Sequence, residues 1–212
     1  MRTASQPMTG IRWVFLDIGS TLVDESLAVQ KRVARTVAGT GVSFDAFYGR
    51  MAEICRTDPK GYALAAAEFG LEPVPWDSRD ERPYPEAAEC LRRLRARYRI
   101  GVIANQVPGC EGRLREMGLL PYIDLVVASA EEGVSKPDQR IFEIALDRAH
   151  CPAREALMVG DRIDNDIRPA RRLGMQTVWL RQGLGGLCAP RTAEEQPDHT
   201  VRSLSELADL LA

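Results

Sequence analysis

The stretch Ile11-Arg-Trp-Val-Phe-Leu-Asp17, continuing as Ile18-Gly-Ser-Thr-Leu22, decides how this chain is read. A short apolar run ending on a carboxylate reads as a buried strand with a polar group at its carboxyl end. Four similar runs follow: Arg99–Ala104 (RIGVIA), Asp124–Ala128 (DLVVA), Ala156–Gly160 (ALMVG) and Gln176–Leu180 (QTVWL). Helical periodicity fills the intervals. Pro85–Tyr98 repeats Ala88, Leu91, Leu94 and Arg95 at helical spacing. Ser135–His150 does the same with Ile141, Phe142, Ala145, Leu146 and Ala149, and Pro137 is placed for a first helical turn. Arg202–Leu211 closes the chain as an amphipathic helix. Apolar strands alternating with such helices imply right-handed βαβ units. The expected fold is therefore α/β, a three-layer αβα, Rossmann-like parallel sheet.

Residues 24–83 interrupt the alternation with helical patterns at Leu27–Ala38, Phe44–Arg56 and Tyr62–Phe69, then a Pro-rich exit (EPVPW, DERPYP). That length far exceeds a normal βα connection, so it reads as a helical insertion after the first strand. The expected organisation is a flexible tail at 1–10, an α/β core from 11–23 and 84–212, and a helical cap at 24–83. Gly183–Gly186 (GLGG) reads as a flexible loop, because no helix follows it directly to complete a phosphate cradle.

Composition bounds the function. The 212 residues carry 28 Lys and Arg against 30 Asp and Glu, a formal net charge of −2, which gives no electrostatic footprint for nucleic acid or an anionic membrane. Five cysteines (Cys55, Cys90, Cys110, Cys151, Cys188) have no metal or redox spacing and imply a reducing compartment. Only two histidines (His150, His199) are present, too few for a His-based metal site. No stretch approaches the roughly 18 apolar residues of a membrane helix, and MRTASQPMTG has no secretory pattern. The expectation is a cytoplasmic protein with no nucleic-acid or membrane partner; the sequence leaves oligomeric state open.

In an open parallel sheet, ligands bind outside the carboxyl ends of strands. Asp17, Asn105, Ser129 and Asp161 all fall at such ends. Singly, a strand-ending Asp or Asn is usually a helix cap or turn residue; four converging on one edge argue for a site. Three motifs sharpen this. Asp17-Ile18-Gly19-Ser20-Thr21-Leu22 resembles the opening Asp-x-Asp-Gly-Thr-Leu motif of the haloacid dehalogenase (HAD)-like hydrolase superfamily. Val134-Ser135-Lys136-Pro137-Asp138, followed by Ile141-Phe142, is similar to its Lys-Pro motif. Val159-Gly160-Asp161-Arg162-Ile163-Asp164-Asn165-Asp166 is similar to its acidic Gly-Asp-x-x-x-x-Asp motif, and Ala170, Leu173-Gly174-Met175 and Val178-Trp179 continue the likeness.

The resemblance spans roughly residues 11–180 and implies a chemistry. Asp17 is the nucleophile, forming an aspartyl-phosphate and splitting hydrolysis into two steps. Mg²⁺ neutralises the approach of carboxylate to phosphate. Its implied ligands are Asp17, the backbone carbonyl of Gly19, and Asp161, with Asp166 holding a metal-bound water or standing behind them. Lys136 neutralises nucleophile and phosphate as a point charge. Thr21 orders the loop, and Asn105 joins Thr21 and Lys136 on the substrate side. Asp164 is expected to cap the helix that begins there.

Two positions depart from the pattern. Gly19 stands where the superfamily's phosphatases carry a second Asp, the general acid and base, and Ala104 stands where a Ser or Thr binds phosphate. Losing acid–base help typically costs about 10²–10⁴-fold in rate, and one charged hydrogen bond about 1.5–3 kcal/mol. Glu25 and Asp58 are acids available in the insertion, and the sequence selects neither. The expected function is a Mg²⁺-dependent hydrolase of a small phosphorylated metabolite, a phosphoric monoester hydrolase. The alternatives are a non-catalytic member binding a phospholigand or protein, or a dehalogenase or phosphonate hydrolase of the same superfamily.

Overall fold

The structure, a computed structural model, describes residues 8–212. The first seven residues of the expected tail lie outside the described residues. The chain runs β1 (Trp13–Leu16), β2 (Val23–Asp24), α1 (Ser26–Val37), α2 (Phe44–Cys55), α3 (Gly61–Glu68) and β3 (Arg82–Pro83). It continues through α4 (Ala87–Arg95), β4 (Arg99–Ala104), α5 (Cys110–Glu116), β5 (Leu125–Ala128), α6 (Ser129–Glu132) and α7 (Gln139–Arg148). The last part is β6 (Ala156–Gly160), a π-helical turn at Ile163–Ile167, α8 (Arg168–Arg172), β7 (Gln176–Leu180), β8 (His199–Val201) and α9 (Leu204–Leu210).

Six strands form one sheet in the order β5-β4-β1-β6-β7-β8, every neighbouring pair parallel. Strand β1 alternates faces as period-two geometry requires. Val14 and Leu16 enter a core shared with Leu91, Leu94, Leu204 and Leu207 of α4 and α9. Phe15 enters the opposite core with Ile141, Phe142 and Ala145 of α7 and Ala170 of α8. All three β1 side chains are fully buried, each stabilising by about 1.5–3 kcal/mol on transfer grounds. The sheet is thus covered on both faces, as its continuous apolar strands require.

From β1 the chain adds β4 and β5 on one side, then returns to add β6, β7 and β8 on the other. The order reverses beside β1, so the crevice at the carboxyl ends of β1 and β6 is the switch point where such sheets bind ligands. Asp17 directly follows β1 and Asp161 directly follows β6.

Helices α1, α2 and α3 match the expected insertion helices within a residue or two and pack around their own apolar cluster, including Val33, Phe47, Met51 and Ala65. The structure adds an antiparallel ribbon at the base of this segment, pairing Val23 with Pro83 and Asp24 with Arg82.

Other details differ from expectation. Strand β8 was not foreseen: it is three residues long, two of them polar, with only Val201 buried, so it carries no readable period. Helix α7 begins at Gln139, with Asp138 as its cap accepting a hydrogen bond from the Arg140 N–H at 2.9 Å. Pro137 therefore precedes the cap and does not sit in the first turn. Among the described residues, no helix is long and apolar enough to cross a membrane.

Gly101, in the middle of β4, owes its identity to Phe15: a Cβ built there would strike the ring edge. Gly101→Val is expected to destabilise the fold by about 1–3 kcal/mol through overpacking, read as a lower denaturation midpoint in urea with an unchanged m-value.

Candidate functional site

After β1 the chain turns tightly under the sheet edge. The Ile18 carbonyl accepts hydrogen bonds from the N–H groups of Thr21, Leu22 and Val23 at 3.2, 2.8 and 2.9 Å, and Ser20 takes a left-handed backbone with φ of 53°. Before the turn, the Asp17 N–H donates to the Val159 carbonyl at 2.9 Å, tying the residue after β1 to β6. Its side chain remains 14% exposed at the crevice.

Lys136 comes from the segment leading into α7. Its ammonium is buried and donates to Asp17 Oδ1 at 2.7 Å and Asp166 Oδ1 at 2.6 Å. Asn105, at the end of β4, fixes that lysine's backbone: Lys136 N–H donates to Asn105 Oδ1 at 2.8 Å, and Asn105 Nδ2 donates to the Lys136 carbonyl at 2.9 Å. Asn105 was expected on the substrate side. Both ends of its amide are engaged by the lysine loop, so its side chain positions Lys136, while the residue also lines the cleft. Ser129 similarly closes the β4 loop onto β5, accepting from the Gln106 N–H at 3.0 Å and donating to the Gln106 carbonyl at 3.2 Å.

The acidic motif supplies the rest. Asp161 is buried, and its carbonyl accepts from the Trp179 indole N–H at 2.7 Å. Asp166, fully buried in the π-helical turn, places Oδ2 against the Arg162 N–H at 3.0 Å while Oδ1 holds Lys136. Glycines make room for these groups. A Cβ at Gly160 would fall on the Asp166 carboxylate and one at Gly185 on Asp161, while one at Gly183 would meet Ser20 Cβ at 2.7 Å. The GLGG segment thus packs directly on the site. Its glycine spacing was the available signal.

Carboxylate oxygens of Asp17, Asp161 and Asp166 all lie within 4.8 Å of one another. Three carboxyl groups face one ammonium, so full ionisation would leave two negative charges without a partner among the described residues. Burial, then the charges of Asp166 and Asp17, push the Asp161 carboxyl well above the ordinary carboxylate range. Burial pushes Asp166 up to about 6 despite the pull of Lys136. Burial disfavours the Lys136 ammonium, but Asp166 and Asp17 outweigh that and raise it. This crowded set of hard oxygen donors fits a divalent cation of the Mg²⁺ type.

Two expectations are not met by the geometry. Thr21 is fully buried with its hydroxyl unpaired, beneath the turn and away from the crevice wall. Asp164 caps nothing; its carboxylate pairs with the Arg162 guanidinium at 2.6 Å and 3.0 Å, a stronger partner than a backbone N–H.

Above the acidic cluster opens a cleft of about 870 Å³, bounded below by Ser20, Glu25 and Asp161 and above by Arg32, Tyr62 and Trp76 of the insertion. The Arg32 guanidinium lies 3.6 Å from the Tyr62 ring centroid and donates to the Val74 carbonyl at 2.8 Å. Glu25 accepts a hydrogen bond from Ser20 Oγ at 2.9 Å. Burial, with the nearby Asp17, Glu81 and Asp24 charges adding to it, raises its carboxyl to about 7 against the pull of that bond. Asp58 instead closes a local turn by accepting from the Lys60 N–H at 2.8 Å, off this cleft. No sequence pattern marked Arg32 or Trp76, whose meeting depends on how α1 packs against the later part of the insertion.

Comparison with known proteins agrees with this arrangement. A family model described as HAD-hydrolase-like matches residues 133–207. Pyrimidine 5'-nucleotidase YjjG of Escherichia coli is 38% identical over 221 residues, covering 96% of this chain and 90% of that one. Glyceraldehyde 3-phosphate phosphatase of Methanocaldococcus jannaschii is 37% identical over 132 residues, 61% of this chain and 57% of that one. Among solved structures, a HAD phosphatase from Thermococcus onnurineus superimposes with a TM-score of 0.64 at 25% identity, covering 95% of this chain and 98% of that one. A carboxylate at the end of the first strand, a buried lysine and an acidic turn on this sheet, together with a near full-length relative, place the chain in the HAD-like hydrolase family.

Proposed function

We propose that this chain hydrolyses the phosphate monoester of a small metabolite through an aspartyl-phosphate on Asp17, with Mg²⁺ as cofactor. The observation that carries the reading is the acidic cluster itself: Asp17, 14% exposed, stands with Asp161 and Asp166, three carboxyl groups around the single Lys136 ammonium, and Asp161 lines the cleft. The phosphatase names of the relatives support the same reaction class. Retention of Asp161 and Asp166 beside the nucleophile favours phosphate chemistry over the metal-free carbon–halogen alternative.

In this reading Asp17, the Gly19 carbonyl and Asp161 would hold the ion, with Asp166 behind them. Bound Mg²⁺ would supply the positive charge that lets an anionic carboxylate approach an anionic phosphoryl group. The protein's own groups do the remainder. Asp17 Oδ1 is held by Lys136, while Oδ2 accepts no hydrogen bond among the described residues and is the oxygen placed to attack phosphorus. Attack forms the Oδ–P bond as the ester P–O bond breaks, and water then cleaves the acyl phosphate to restore the carboxylate. Lys136 sits where it can neutralise both the carboxylate and a phosphoryl oxygen, and Asn105 and Asp166 keep it there. Residues 24–83 act as the cap over this chemistry, with Arg32 presenting a cation from its underside.

Asp17→Asn is expected to lower phosphate release from a panel of phosphomonoesters by on the order of 10⁴–10⁶-fold, as for loss of a nucleophile elsewhere, while leaving far-UV circular dichroism unchanged. Full activity in that variant would sink the assignment of Asp17. Mg²⁺ at about 100 times its dissociation constant should add roughly 2.7 kcal/mol of stability, seen as a rise in Tm that EDTA reverses. Asp161→Asn should abolish that rise at the same Mg²⁺ concentration, and a rise of equal size would remove Asp161 from the ligand set.

A further inference from the structure

Gly19 poses a steric question. Its backbone lies outside the left-handed region, so conformation does not demand glycine there. Space does: a Cβ at residue 19 would fall on the Glu25 carboxylate, meeting Cδ at 2.8 Å, Oε2 at 3.0 Å and Oε1 closer still. The carboxylate of Glu25 therefore fills the volume where a side chain at position 19 would begin. The two positions exclude each other.

Glu25 is also held in place. It follows β2, whose pairing with β3 fixes the chain, and its carbonyl accepts the Val29 N–H of α1 at 2.9 Å. Ser20 Oγ donates to Oε2, and the left-handed Ser20 backbone, with Gly183 packed against that side chain, sets the hydroxyl's position. Oε1 accepts no hydrogen bond among the described residues. Glu25 lines the same cleft as Asp161 and as Arg32, Tyr62 and Trp76 of the insertion.

Building on the phosphohydrolase reading, we infer that Glu25 is the general acid and base of this enzyme, placing a carboxyl from the insertion where Gly19 has none. In the first step, protonated Glu25 gives its proton to the ester oxygen as the P–O bond breaks and the Asp17 Oδ–P bond forms. In the second, the Glu25 carboxylate takes a proton from water as that water attacks phosphorus, and the electron pair of the Oδ–P bond returns to Asp17. The net change is phosphomonoester plus water to alcohol plus inorganic phosphate, with Glu25 and Asp17 restored. The glycine and the glutamate are then one relocated function, not a lost one.

The test uses the full chain with Mg²⁺, p-nitrophenyl phosphate and phenyl phosphate. Glu25→Gln is expected to lose about 10²–10⁴-fold in steady-state turnover, more with the poorer phenolate leaving group. With p-nitrophenyl phosphate it should release a burst of about one p-nitrophenol per enzyme, because acyl-phosphate formation from a good leaving group outpaces its unassisted hydrolysis. The double variant Gly19→Asp/Glu25→Ala, which clears the clash and moves the carboxyl back to residue 19, should recover turnover and abolish the burst. Asp58→Asn, off the cleft, should match the unaltered protein. A Mg²⁺-induced rise in Tm equal to that of the unaltered protein shows that each variant is folded. Turnover in Glu25→Gln within about threefold of the unaltered protein would overturn the proposal while leaving the phosphohydrolase reading standing. So would a uniform loss with no burst and no recovery in the double variant. No turnover by the unaltered protein would remove both.

Discussion

The Lys136 ammonium, buried between Asp17 and Asp166, ties together three parts of the chain that are distant in sequence. Asp17 ends the first strand, Lys136 precedes α7, and Asp166 belongs to the π-helical turn after β6. Removing one partner of a buried charge pair leaves an uncompensated charge, typically costing about 3–5 kcal/mol. Asn105 holds the lysine's backbone from a third strand end, that of β4, and the Arg162 N–H holds Asp166. Asp17, Lys136, Asn105 and Asp166 thus form a network in which each positions another, at the edge of the sheet.

Among the described residues, the same network holds more carboxyl groups than cations to pair with them. Three carboxylates surround one ammonium, and Asp161 has neither an ion pair nor a side-chain hydrogen bond among the described residues. Protein interiors rarely keep such charges without a partner. The fold tolerates this crowding because Gly160 and Gly185 let backbone and carboxylate approach closely. A fold optimised for stability alone would have diluted this charge, so its concentration at a sheet switch point is a mark of function.

The sheet strands and the three insertion helices were legible because their apolar residues repeat with clean periods: Val14, Phe15 and Leu16 cannot be exposed, and Phe47, Met51 and Ile54 share one helical face. Strand β8 was not, since three residues beside a loop show no period. Among site residues, those at strand ends were legible because topology carries them to one edge whatever the details. What each does there was less so. Asn105 lines the cleft and also grips the Lys136 backbone, a partnership between β4 and the α7 lead-in that no local pattern encodes. Thr21 lies beneath its own turn, and Asp164 pairs with an arginine two residues away. The match of Gly19 with Glu25 required knowing that the chain doubles back after β2, which only three-dimensional packing reveals.

The ribbon of β2 and β3 brings the two ends of the insertion side by side, pairing Asp24 with Arg82. A segment that leaves and rejoins its host at neighbouring points can be lengthened, shortened or exchanged while the host's sheet registers stay as they are, since loop-closure cost grows only slowly with length. The acidic cluster is anchored almost wholly outside that segment, whereas Arg32, Trp76 and Glu25 lie within or at its border. The acidic cluster and the upper wall of the cleft therefore sit on separately inheritable pieces of chain, and a lineage can reshape that wall without rebuilding the three carboxylates beneath it.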